Sequence, residues 1–226
     1  MDATTFETET KETMEIMTEE KQESKKKTAK KVDVRYMTVT AMLSAVGFIL
    51  MFLDFAVPFM PGFIKMDLSE LPALIGTFAF GPVCGVLICF IKNLLHLTIT
   101  TTGGVGELSN FLLGASFVLP AGLLYKLKKN KLHAVLGAFF GAAFMGLMSI
   151  PSNYFVVYPF YYNFMPEEAI LAAYQAIVSS MDNILECLIC FNAPFTAVKG
   201  LLSAVITVFI YKPLSPILKG VHASDR

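Results

Sequence analysis

The stretch FNAPFTAVKGLL, residues 191–202, places a lysine inside the last long apolar segment of the chain. Lys199 is preceded by the apolar run 184–195 and followed by the run 201–211, so a helix through this segment would hold its ammonium group well inside a membrane. A charge at that depth costs a few kcal/mol or more and therefore needs a polar partner or a ligand. An ionisable residue in such a position indicates a functional site.

The composition indicates an integral membrane protein. Of the 226 residues, 55% are hydrophobic and only 16% are charged, which is too apolar for an ordinary soluble domain. Segment 1–35 lacks the apolar core of a signal peptide, and we expect a disordered cytoplasmic tail whose basic end meets the membrane surface rather than nucleic acid. The four cysteines form no metal-ligand pattern with the three histidines, so we expect inert thiols and no metal site.

Six apolar segments predict six membrane-spanning helices. They lie at about 37–57, 68–80, 83–99, 108–125, 132–162 and 184–211. The second is too short to cross a hydrocarbon core of about 30 Å alone, so we expect a short or partly embedded helix closed by Gly81 and Pro82. Helical spacing in the middle of 163–183 predicts a surface helix.

The distribution of basic residues predicts the orientation. Lysine and arginine are concentrated before the first span, in the loop 126–131 and after residue 211. On the opposite side Lys65 is the only lysine expected, and the residues there are instead acidic, among them Asp67, Glu70 and Glu107. This asymmetry favours cytoplasmic termini. The predicted fold class is an all-α integral membrane protein, a six-transmembrane-helix bundle with both termini cytoplasmic. Its expected parts are the tail 1–35, the substrate-binding membrane domain 36–218 and a cytoplasmic tail, 219–226.

Other polar residues lie within the predicted spans. Lys92 and His96 are four residues apart and share a helix face, and we interpret them as a snorkelling lysine and a structural histidine. For Asn153, hydrogen bonding between helices and contact with a ligand are equally good interpretations. The sequence has no Ser/His/Asp set, HExxH motif, paired intramembrane carboxylates or phosphate-binding loop, so we expect no enzyme.

Three runs of sequence resemble one family of transport proteins. They are KMDLSELPALIGTFAFGPVCGVLICFIKNLLH (65–96), GELSNFLLG (106–114) and APFTAVKG (193–200). Together they resemble the riboflavin-binding substrate component of the energy-coupling factor (ECF) vitamin transporters, the RibU family, over 36–218. The resemblance implies a bundle in the bacterial cell membrane that captures riboflavin outside the cell. It also implies a separate transmembrane coupling subunit and two cytoplasmic ATPases, with no cofactor on this chain.

The same resemblance implies the binding residues. The family's last helix contacts the flavin through a Pro-Phe-Asn-x-x-Lys-Gly pattern, which here reads PFTAVKG, with Thr196 in place of the asparagine. The expected riboflavin contacts are Lys199, Asn153, Thr196, Phe63, Met66, Asn110 and Glu107. Ala41 and Ala45 match the family's small-residue motif in the first helix and are expected to dock on the coupling subunit.

Other functions remain open at the level of sequence. Biotin carries a carboxylate that Lys199 could pair, whereas thiamine would favour an aromatic box, and the chain has no tryptophan. A retinal-type photoprotein needs a buried counter-ion to its lysine, for which Asp54 is a weak candidate. A proton-coupled carrier using His96 and Glu107 is disfavoured because no internal repeat is visible.

Overall fold

The computed structural model describes residues 34–100 and 102–219, with side chains described as far as residue 211. Residues Thr38–Arg226 form one compact unit, and of the other, Met1–Met37, only 34–37 are described. The tail predicted over 1–35 therefore lies outside the described residues except for its last two positions, and the C-terminal tail except for its first.

Helices follow the apolar segments of the sequence. In chain order the elements are α1 (Val34–Met51), β1 (Phe55–Ala56), β2 (Lys65–Met66), α2 (Glu70–Phe80), α3 (Pro82–His96), α4 (Val105–Leu127), α5 (Lys131–Ser152), α6 (Tyr158–Tyr161), α7 (Glu167–Gln175), α8 (Ile184–Cys187) and α9 (Ala193–Lys219). A 3-10 turn, Leu97–Ile99, extends α3. Two π-helical turns, Asn153–Val157 and Leu188–Asn192, join α5 to α6 and α8 to α9. The surface helix predicted within 163–183 is α7.

Within the described residues, 34–100 and 102–219, five helical segments are long and apolar enough to cross a membrane. They are Val34–Met51, Pro82–Ile99, Val105–Leu127, Lys131–Tyr161 and Ile184–Tyr211. The protein is therefore a predominantly helical membrane protein, and α2 is the short apolar helix that the sequence predicted. The all-α prediction omitted one small feature, the antiparallel pair β1 and β2, in which Phe55 lies opposite Met66.

α2 is short and lies in the core of the bundle. It packs against α3, α4 and α9, and Glu70, Ala73, Leu74 and Thr77 are all fully buried. Gly81 ends α2 with a φ of 102°, in a region that favours glycine, and Pro82 begins α3 at once. Asp67 and Ser69, just before α2, are buried as well.

Glycine brings the long helices close together. A Cβ atom at Gly137 of α5 would lie 2.7 Å from the backbone oxygen of Ala121, and one at Gly141 would lie 2.5 Å from that of Phe117. Small residues at four-residue spacing allow this approach between membrane helices. The small-residue face of α5 therefore packs within the chain, against α4.

Candidate functional site

A cavity of about 450 Å³ lies among the loop that contains β2, α3, α4 and the two π-helical turns. Sites that enclose a drug-sized molecule usually measure about 300–1,000 Å³. Most of the predicted contact residues line this cavity: Phe63, Glu107, Asn110, Asn153, Thr196 and Lys199. Met66 is buried, but it is not among the lining residues. The fold therefore brings six of the seven together, and their contact with a ligand stays a prediction.

Lys199 is paired with a carboxylate at the wall of the cavity. Its Nζ donates to Asp67 Oδ2 at 2.8 Å and to Asn110 Oδ1 at 3.4 Å. Burial by itself would raise the pKa of Asp67, but the ammonium groups of Lys199 and Lys92, together with hydrogen bonds from Lys199 and Ser69, lower it to about 2. Asp67 is therefore ionised at neutral pH and neutralises Lys199.

Sequence reasoning missed this pairing. It treated Asp67 as one of several acidic residues of the outer surface, whereas the residue is only 8% exposed. The available signal was its position in MDLSELPAL, directly before an apolar run that ends at a glycine and a proline. A carboxylate that leads into a buried helix is itself drawn into the interior, where it needs a cationic partner.

Glu107 organises the turn between α3 and α4. Its Oε1 lies 2.7 Å from His96 Nδ1, and its Oε2 accepts hydrogen bonds from Thr100 and Thr102 at 2.9 and 3.3 Å. Both carboxylate oxygens thus already have partners within the protein. In this turn, Gly103 and Gly104 have φ of 63° and 89°, in a region that favours glycine. Glu107 therefore lines the cavity with a carboxylate that these hydrogen bonds hold in place.

The interpretation of Lys92 as a snorkelling residue is wrong. Its side chain is fully buried, and its Nζ lies 2.8 Å from Oε1 of the equally buried Glu70. Lys92 and His96 share a helix face, yet they contact different carboxylates. The prediction failed because Glu70 belongs to the core helix α2 and not to an exposed loop.

The two π-helical turns each place an asparagine in the cavity wall. Asn153 begins the first turn and Asn192 ends the second, and both side chains are largely buried. Asn153 Oδ1 lies 3.4 Å from the Ser109 hydroxyl, which donates to it. Turns of this kind are often found at functional sites because one extra residue redirects the side chains around it. Asn192 and the π turns were not predicted, because a π turn has no sequence signature.

Asn192 also belongs to a buried hydrogen-bonded triad. Its Oδ1 accepts from the Tyr174 hydroxyl at 2.7 Å, and its Nδ2 donates to the Tyr158 hydroxyl at 3.3 Å. The two hydroxyl oxygens are 2.6 Å apart. Because Tyr174 lies on α7, the triad fixes this surface helix against the helices that line the cavity.

The chemistry of the cavity suits an uncharged ligand with both polar and flat apolar parts. The charge of Lys199 is matched by Asp67, and Asn110 and Asn153 offer neutral amide groups. Phe63 supplies an aromatic surface and packs edge-on against Tyr174, with ring centroids 6.0 Å apart. Polar groups that converge within an apolar pocket fix the orientation of a bound molecule.

Comparison with known proteins identifies a family of transport proteins to which this chain is similar. A family model described as "ECF transporter, substrate-specific component" matches residues 35–211. The riboflavin transporter RibU of Staphylococcus aureus is 31% identical over 187 residues, which cover 83% of this chain and 93% of that protein. The riboflavin transporter FmnP of Bacillus subtilis is 30% identical over 188 residues, covering 81% and 93%.

Solved structures show the same fold. A structure described as the S component of a bacterial ECF transporter is 32% identical, with a TM-score of 0.65, and the match covers 81% of this chain and 97% of the other. The structure of ThiT from Listeria monocytogenes is 14% identical, with a TM-score of 0.54, over 81% and 96%. At that identity the second likeness concerns the fold alone.

Proposed function

The chain belongs to the family of ECF transporter substrate-specific components, and from that membership we propose that it captures riboflavin outside the cell for an ATP-driven importer. The feature of the structure that supports riboflavin is the cavity in which Lys199, Asp67 and Asn110 converge. Two relatives of about 30% identity are riboflavin transporters, and they match over most of their own length.

Riboflavin fits the polar groups of this cavity. Its ring system is flat and largely apolar, and its uracil-like edge presents an N–H donor between two carbonyl acceptors. The Lys199 ammonium has three donors and the side-chain amide of Asn153 has two, so both can meet the carbonyls. The carboxylate of Asp67 has acceptor capacity beyond its bonds to Lys199 and Ser69 and can receive the ring N–H. Phe63 covers the ring.

The pairing of Lys199 argues against biotin. A carboxylate ligand would have to compete with Asp67, which already holds the ammonium at 2.8 Å. Bringing a second negative charge beside Asp67 would add repulsion in a poorly hydrated site. The family match argues against the retinal alternative. The counter-ion candidate Asp54 forms an exposed ion pair with Lys65 at 3.0 Å, and the carboxylate beside Lys199 is that of Asp67.

The proposed topology has six membrane segments, in which the short helix α2 is the second, and both termini lie in the cytoplasm. The lysines of the turn between α4 and α5 are then cytoplasmic, as the positive-inside rule requires. The cavity then opens to the outside. The loop that contains Phe63 and the segment around α7 are the natural covers, because both lie at this end of the bundle.

The proposed partners are a transmembrane coupling subunit and two cytoplasmic ATPases, and α1 is the proposed docking helix. Thr40 and Ser44 of α1 face the interior, whereas Ala41 and Ala45 are exposed. Exposed small side chains on a membrane helix permit close approach of a second helix. This arrangement leaves the alanine face available for the coupling subunit.

Enlarging this face should prevent assembly without affecting ligand binding. We expect the variant Ala41→Leu with Ala45→Leu to bind riboflavin like the wild type, but to co-purify with the coupling subunit about tenfold less well, because bulky side chains block close helix packing. The matched control is Met42→Leu with Val46→Leu, since both positions are exposed one residue further along α1. Equal loss of assembly in both variants would contradict a specific alanine face.

The proposed function is tested first by identifying the bound molecule. The chain is purified in detergent, its visible absorption spectrum is recorded, and the small molecule released by denaturation is analysed by mass spectrometry. We expect a flavin spectrum and the mass of riboflavin, or, for a colourless preparation, saturable binding of added riboflavin. Release of a different vitamin, or failure to bind added riboflavin, would contradict the proposal.

A further inference from the structure

The buried ion pair between Lys92 and Glu70 lies outside the cavity, so contact with a ligand does not explain why these two charges are buried. Both side chains have no exposed surface, and the Lys92 Nζ lies 2.8 Å from Glu70 Oε1. Neither residue lines the cavity. Removing two charges from water is costly, and an apolar pair of similar volume is often as stable or more stable. The stability of the fold alone therefore does not explain the pair.

The surrounding helices leave room for this ion pair. A Cβ atom at Gly114 of α4 would lie 2.6 Å from Glu70 Oε2, so a larger residue would displace the carboxylate. On the other side, a Cβ atom at Gly47 of α1 would lie 3.3 Å from Cδ of Lys92. The thiol of Cys89 donates to Glu70 Oε2 at 3.7 Å. Both charged groups are thus held in one position.

Ser69 connects the ion pair to the wall of the cavity. Lys92 Nζ donates to Ser69 Oγ at 2.6 Å, and the backbone N–H of Ser69 donates to Asp67 Oδ1 at 2.8 Å. Ser69 occupies the N-cap position of α2, where a serine hydroxyl ordinarily bonds the helix backbone, yet it makes no capping hydrogen bond. Its hydroxyl is bound instead to Lys92.

From this chain of contacts we infer that Lys92 and Glu70 form a positioning pair for the binding site. Acting through Ser69, they fix the backbone that holds the Asp67 carboxylate, and Asp67 in turn orients the ammonium of Lys199 at the cavity wall. The inference rests on the proposed function, since the readout is the affinity for riboflavin. Neither residue of the pair touches the ligand.

The pair can position the site because both Lys92 and the segment 67–69 are held rigidly. Lys92 is fully buried, and its Nζ donates to Ser69 at 2.6 Å and to Glu70 at 2.8 Å, so its ammonium group is fixed in position. The segment 67–69 is held at one end by Ser69 and at the other by the hydrogen bond that Lys199 donates to Asp67. A ligand that enters such a fixed site has less ordering to impose, and preorganisation of this kind strengthens binding.

Ser69→Ala is the decisive variant, because it removes the connection and leaves the ion pair intact. We expect riboflavin to bind about tenfold more weakly, the typical effect of losing one charge-assisted hydrogen bond. The matched control is Ser44→Ala, which removes another buried hydroxyl, one that bonds the α1 backbone at 2.7 Å. We expect the control to bind riboflavin like the wild type, with a melting temperature similar to that of Ser69→Ala.

A second variant separates positioning from a general loss of stability. Lys92→Met with Glu70→Gln removes both charges, and we expect it to fold and to bind riboflavin about tenfold more weakly. Adding Ser69→Ala to this variant should weaken binding no further, because the hydrogen bond between Lys92 and Ser69 is already absent. If the substitutions acted independently, their fold-losses of affinity would multiply.

The riboflavin affinities of these variants test the positioning role of Lys92 and Glu70. Unchanged affinity in Ser69→Ala, or equal weakening by Ser44→Ala, overturns the inference while the proposed function stands. Multiplying effects in the triple variant also overturn it. A wild-type chain that does not bind riboflavin overturns the proposed function and this inference together.

Discussion

Replacing Lys199 by methionine is expected to weaken riboflavin binding by about 10- to 100-fold, the range set by the loss of one hydrogen bond to a charged group. The substitution keeps the length and the apolar stem of the side chain but removes the ammonium that bonds Asp67 and Asn110. It also leaves the carboxylate of Asp67 without its nearest cation. Titration of the purified variant with riboflavin measures the loss.

Two further variants show whether this loss belongs to the site. In Lys199→Met with Asp67→Asn no unpaired charge remains, so we expect the fold to recover while binding stays weak. Lys129→Met, an exposed lysine between α4 and α5, should bind like the wild type. Wild-type affinity in Lys199→Met would refute the role assigned to the ammonium.

The largest expected effect on stability comes from Lys92→Met. This change leaves Glu70 as a buried carboxylate without its cation, and breaking a buried pair in this way costs about 3–5 kcal/mol. Thermal unfolding in detergent, measured by loss of helical circular dichroism, should show a strongly lowered midpoint. Glu70→Gln in the same chain should restore most of the stability, because the unpaired charge is then absent.

The chain offers a matched control for this substitution. Lys65 forms an ion pair with Asp54 at 3.0 Å, but the two side chains are 52% and 37% exposed. Exposed pairs contribute about 0–1 kcal/mol, so Lys65→Met should change the midpoint little. Equal destabilisation by Lys92→Met and Lys65→Met would contradict the account of the buried pair.

The sequence predicted most of the helices because glycine, proline and asparagine signals bound their apolar runs. The first span is an exception, since the prediction was 37–57, whereas α1 ends at Met51 and Phe55–Ala56 forms a strand. Gly81 and Pro82 separate α2 from α3, and Asn130 caps the start of α5 with its side chain. The family resemblance, read from the motifs that contain Lys92 and Lys199, is confirmed by the family match over residues 35–211. Local pattern was sufficient for these features since each depends on residues close in the chain.

The partners of the buried charges could not be predicted in the same way. Asp67 and Lys199 are 132 positions apart, and Lys92 and Glu70 are 22 apart on different helices. A hydropathy pattern shows that a charge lies near an apolar run, but it does not show which neighbour faces it. Asp67 and Glu70 were therefore assigned to the outer surface, whereas packing of α2 in the core buries both.

The central claim is that this chain binds riboflavin in the cavity beside Lys199. Its most direct test is titration of the purified, flavin-free chain with riboflavin, in the presence and absence of excess biotin. Binding is measured by the quenching of flavin fluorescence. The account predicts saturable binding of one riboflavin per chain that biotin does not displace. Absence of saturable binding, or displacement of riboflavin by biotin, would contradict it.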